Sequence, residues 1–101
     1  MAIQNEEQIW KLVDAKKGDF IKLSDRVFDT PETLYNEFSS VREHIATLKT
    51  QGFKITKNVC GMPTAVIGEA GEEGPVIAIL GEFDALPGLS QEPGVADHSP
   101  I

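Results

Sequence analysis

The chain has 101 residues, of which 41% are hydrophobic, 25% charged and 7% aromatic, the size and make-up of one globular domain or part of one. Sixteen acids against nine bases give a net charge of −7, which argues against nucleic acid and anionic membranes as partners, since both call for a basic face. No window approaches the ~18 consecutive apolar residues of a membrane span, Met1 to Gln8 lacks the basic and apolar run of a signal peptide, and the single Cys60 cannot pair internally, so the expected location is the cytoplasm.

The first predicted element is a helix. Ile9, Val13, Lys16, Phe20, Leu23 and Val27 step by three or four, and Leu12 and Ile21 widen the stripe, so about five or six turns can lay one face on a sheet. Asn5 is the expected N-cap, with Glu6 and Glu7 in the first turn where the helix dipole favours acids. Gly18 costs ~1 kcal/mol against Ala and marks a weak point or bend. Trp10 reads as a packing anchor rather than a ligand platform.

A second helix is predicted from Thr30-Pro31-Glu32-Thr33, because Pro suits the first helical position after a Thr cap. Leu34, Phe38, Val41, Ile45 and Leu48 carry its stripe, with a break expected near Ser39-Ser40 and a stop at Gly52. His44 reads as a solvent-facing or hydrogen-bonded structural residue, because no second ligand stands at a metal spacing with it.

From Phe53 the period changes to two. Phe53 and Ile55 alternate with Lys54 and Thr56, an edge-like strand whose lysines guard it. After the Cys60-Gly61-Met62-Pro63 turn, Thr64 to Gly68 forms a second strand, and Cys60 reads as a small turn or buried residue rather than a metal or catalytic thiol. The short Gly71-Glu72-Glu73-Gly74 link predicts an antiparallel hairpin between that strand and the next, with both acids solvated at its turn.

That next strand is the most informative stretch. Pro75 to Leu80 lacks polar alternation and so reads as a central strand covered on both faces. Gly81 lets the backbone leave the sheet, Glu82 and Asp84 share one side of an extended chain, and Pro87-Gly88 turns it. Two acids at a strand end fit either a solvated terminus or a site, since functional groups gather at the carboxyl ends of strands in open α/β sheets. Leu89 to Ile101, with Pro93, Gly94 and Pro100, has no period and is expected to be a loop or disordered tail on a single segment spanning 1–101.

Gly81-Glu82-Phe83-Asp84-Ala85-Leu86-Pro87-Gly88-Leu89-Ser90-Gln91 resembles the first metal-site motif of the zinc-dependent amidohydrolase, aminoacylase and carboxypeptidase family of metallopeptidases, with the p-aminobenzoyl-glutamate hydrolases as its nearest branch. Asp29-Thr30-Pro31-Glu32-Thr33 and Gly52-Phe53-Lys54-Ile55-Thr56 resemble two earlier family segments in the right order, so the likeness covers nearly the whole chain. The resemblance implies the N-terminal part of a zinc-peptidase-like α/β catalytic domain, with two or three helices packed on a partial mixed sheet that includes a β-hairpin.

It also implies a chemistry. Relatives use two divalent ions, zinc or manganese, to hydrolyse the amide bond of an N-acyl or aminobenzoyl amino acid or a dipeptide-like substrate. In the family's His-x-Asp pattern, Asp84 falls on the catalytic supporting acid, while Glu82 falls where the His ligand would stand, as in a branch whose ligand is a downstream Cys. The Cys-Gly-His motif, the later Glu-Glu general base and the later His ligands are absent from these residues. The chain alone is therefore expected to bind no metal stably and to be inactive, with His98 unligated and homo-oligomerisation left open. The competing reading is a non-catalytic binding or interaction module.

Overall fold

The computed structural model describes residues 5–89 and 91–99. The parts of the terminal readings that fall on residues 1–4, 90, 100 and 101 lie outside the described residues. Helices α1 (Glu6–Asp29) and α2 (Phe38–Thr50) are followed by strands β1 (Lys54–Lys57) and β2 (Val66–Glu69). This is a small α/β segment of two helices and an antiparallel hairpin, as the sequence predicts.

Helix α1 is one continuous element through Gly18, starting one residue after Asn5. Asn5 is the N-cap residue in a left-handed conformation, φ 64°, but its side chain makes no capping hydrogen bond to the described residues. Two side-chain contacts tie α1 to the next helix. Lys16 Nζ donates to Gln51 Oε1, and Arg26 Nε donates to Glu43 Oε2 at 2.6 Å, so α1 and α2 run antiparallel. The stripe expected to lie on a sheet is instead largely open: Ile9, Leu12, Val13, Phe20 and Ile21 are exposed, and Trp10, expected as a packing anchor, is 60% exposed. Among the described residues no sheet face lies over α1, which explains both differences.

Helix α2 begins at Phe38, not at the predicted Thr30-Pro31. Residues 31–37 form an irregular connection in which Tyr35 takes a left-handed conformation, φ 64°, that ends any helix begun at Pro31. The stop falls where expected. Gly52, φ 85°, follows α2, the Gly52 N–H donates to Lys49 O and the Phe53 N–H to Leu48 O. That pair of bonds is a Schellman closure, which satisfies the last carbonyls and turns the chain into β1.

Strand β1 pairs with β2 in the register Lys54↔Glu69, Ile55↔Gly68, Thr56↔Ile67 and Lys57↔Val66. The connection contains a short 3₁₀ turn, Val59–Gly61, where Asn58 and Cys60 both have positive φ, so Cys60 is an exposed turn residue. Gly68 faces α2: a methyl group there would stand 3.1 Å from Leu48 Cδ1, so its missing side chain lets the hairpin close on the helix. Helix α2 is thus the central element, with α1 on one side and the hairpin on another. Val41 on α2 is the single buried apolar side chain among the described residues.

The predicted central strand is not part of this sheet. Residues 75–80 form no strand and pair with none, with Val76 97% and Ile79 94% exposed, and Glu72-Glu73 lies in an exposed bend rather than a hairpin turn. β2 takes β1 as its ladder partner. The apolar run lacks the neighbouring strands and covering helices that a strand buried on both faces needs.

Candidate functional site

The loop after the apolar run returns to the helices. Along 82–86 exposure alternates, with Glu82, Asp84 and Leu86 exposed and Phe83 and Ala85 half-buried. This is the two-residue period of extended chain, and it sets the two acids on the outer side, as the sequence implies. The Ala85 N–H donates to Glu32 O at 2.7 Å, and the Phe83 ring stacks on His44 with centroids 4.6 Å apart. His44 Nδ1 lies 2.8 Å from Ser40 O, so this nitrogen carries a proton and donates. His44 thus bonds a helix carbonyl through one ring nitrogen and stacks its ring on Phe83.

Asp84 lines a cleft of about 370 Å³. Its walls include Ser24, Val27 and Phe28 from α1, and Phe83, Leu86 and Leu89 from the loop. The α1 wall has no signal in the sequence, because it arises from how the loop packs on the helix. Residues 91–99 form an irregular loop held by Gln91 Nε2 donating to Val95 O and by the Glu92 N–H donating to Ser99 O at 2.9 Å. Pro93 to Ala96 face Ser24, Asp25, Phe28 and Asp29 across a second cleft. His98 is exposed in that loop.

Glu32 has a role that periodicity does not reveal. Its carboxylate accepts the Ser39 N–H at 3.0 Å and the Ser40 N–H at 2.7 Å, two of the donors that the first turn of α2 leaves without helical partners. Glu37, the residue at the cap position, makes no such bond to the described residues. Burial pushes the Glu32 carboxyl up, but the Ser40 and Ser39 donors outweigh it and hold it below its ordinary 4.5. A folded-state value below the unfolded one gives stability that is present above the ordinary value and lost as pH falls through the folded value. The helical signal of α2 is therefore expected to decline as pH drops below about 4.5, and Glu32→Gln to flatten that decline, in circular dichroism titrations.

Donor chemistry decides whether the metal ions of the resembling family fit here. Among the described residues no three His, Cys, Asp or Glu side chains are gathered as a metal site would require. Glu82 and Asp84 bring two carboxylates, but His44 is not gathered with them as a ligand set, Cys60 sits in the hairpin connection and His98 in the terminal loop. These residues do not fit a complete metal centre.

No protein-family model matches the chain. It is 37% identical over 99 residues, 94% of its length, to the B subunit of p-aminobenzoyl-glutamate hydrolase from Escherichia coli. It is 31% identical over 75% of its length to thermostable carboxypeptidase 2 of Saccharolobus solfataricus, and 29% identical over the same share to thermostable carboxypeptidase 1 of that organism. The class these relatives have in common is hydrolase. The chain is thus similar to hydrolases of the amidohydrolase and peptidase kind, and it spans about a fifth of their length, 21% in each case. Among the described residues no helix is long and apolar enough to cross a membrane.

Proposed function

We propose that these residues are the N-terminal portion of a metal-dependent amidohydrolase that cleaves the amide bond of an N-acyl or aminobenzoyl amino acid, acting in the cytoplasm. The likeness along 94% of the chain to the B subunit of p-aminobenzoyl-glutamate hydrolase carries this reading. The ligands and general base of such a reaction are supplied by other residues than these, so the 101-residue chain is itself inactive. Asp84 is the one residue here assigned to the reaction centre, as an acid that accepts a hydrogen bond from a ligand and fixes its orientation. Asp84 is exposed and lines the cleft, which supports its carboxylate being reachable for that contact.

The test has two arms. The 101-residue chain, dialysed after exposure to zinc and to manganese, is expected to retain neither in stoichiometric amount and to release no p-aminobenzoate from p-aminobenzoyl-glutamate. Where the reading frame continues beyond Ile101, the longer product is expected to hydrolyse it, and Asp84→Asn to lower kcat/KM by tenfold or more with the fold intact. Stoichiometric metal on the short chain, or an unaffected Asp84→Asn variant, would overturn the assignment. A second reading, a non-catalytic interaction module, is favoured by the exposed apolar run 76–80. It gains if the frame stops at Ile101.

A further inference from the structure

Contacts between α2, the loop before it and the acid-bearing loop form a closed circuit. The Glu32 carboxylate holds the Ser39 and Ser40 N–H groups, and Ser40 O accepts from His44 Nδ1 one turn later. The His44 ring stacks on Phe83, and two residues further on the Ala85 N–H returns to the carbonyl of Glu32 itself. One residue thus meets the helix through its side chain and the loop through its backbone. Glu82 and Asp84 flank Phe83, and Asp84 also adjoins Ala85, so both acids are set in space by groups that Glu32 and α2 hold.

We propose that Glu32 is a positioning residue: it joins the first turn of α2 to the 82–85 loop, so that helix start and acid-bearing loop become ordered as one unit. Its consequence for a reaction rests on the reading of Asp84 given above, but the coupling itself does not. If the circuit couples the two ends, removing either one weakens the other by the same free energy, because coupling between two sites is reciprocal. A merely local helix cap has no such reach. Losing it would free Ser39 and Ser40 and leave the Ala85 N–H in place, since that donor binds a backbone carbonyl which the side-chain substitution does not remove.

Amide hydrogen exchange followed by NMR on the 101-residue chain separates these cases without any activity assay. In Glu32→Ala, exchange at Ser39, Ser40 and Ala85 is expected to rise together by about tenfold, as loss of a cap implies, while amides in 54–57 and 66–69 keep their rates. Glu32→Gln, which keeps one acceptor oxygen, is expected to fall between the parent and Glu32→Ala. Unchanged protection at Ala85 beside faster exchange at Ser39 and Ser40 would reduce Glu32 to a local cap and overturn the proposal. Should Glu32→Ala speed every amide alike, Ala85→Pro decides, because it removes the donor at the far end and leaves the carboxylate untouched. Faster exchange at Ser39 and Ser40 in that variant supports the coupling, and unchanged exchange there overturns it.

Discussion

The 101-residue chain is expected to self-associate through residues 76–80, and Ile77→Lys with Ile79→Lys to make it monomeric. Val76, Ile77, Ile79 and Leu80 are each more than four-fifths exposed, and the segment has no ladder partner among the described residues. Such a run offers unpaired N–H and C=O groups together with apolar side chains on both faces, and the two-stranded sheet beside it has open edges. A second copy can supply a strand to either. Full burial of one Ile side chain stabilises by about 1.5–3 kcal/mol, so two lysines on one face should weaken association by at least about a hundredfold. Light scattering from micromolar to millimolar protein checks this: molar mass should climb with concentration for the parent and stay at the monomer value for the double variant. A parent that remains monomeric throughout would refute self-association through this run.

The same run shows what a sequence can and cannot convey. Val, Ile and Leu without polar alternation, bounded by Pro75 and Gly81, predict a buried central strand, yet residues 75–80 form no strand and lie exposed. Pairing was not legible, because it depends on which strands are within reach, and β2 takes β1. Local signals did well where the physics is local. The three- and four-residue steps located α1, the alternation at Phe53 located β1, and Gly52 marked the closure of α2 through its positive φ. They did poorly at the start of α2, where Pro31 promised a first turn and the actual cap is a carboxylate from the preceding loop. The acid-bearing loop was legible as an extended segment with Glu82 and Asp84 on one side. Its packing against His44, Glu32 and the Ser24 to Phe28 part of α1 was not, because those contacts join residues tens of positions apart.

Removing two methyl groups from Val41 is expected to abolish most of the cooperative folding of this chain. Val41, at 5% exposure, is the sole buried apolar side chain among the described residues, on the helix that contacts both α1 and the hairpin. A compact 100-residue domain has a radius of gyration near 13 Å, about three ångströms less than the 16.2 Å found here, so far less surface than usual is withdrawn from water. Stability must then fall below the ~5 kcal/mol at the low end for native domains. Against so small a total, the ~1.5 kcal/mol for two buried methyl-sized groups, plus the cavity they leave, is a large fraction. Urea titrations by circular dichroism, in the Ile77→Lys, Ile79→Lys background that keeps the chain monomeric, should show a broad transition at low denaturant for the parent. In Val41→Ala it should be largely gone before the first addition. Trp10 fluorescence should stay nearly constant through both titrations, because this ring is already 60% exposed in the folded chain and has little environment to lose. A steep transition with an unmoved midpoint in Val41→Ala would mean that the folded chain buries a core elsewhere, and a large Trp10 change would locate it against the first half of α1.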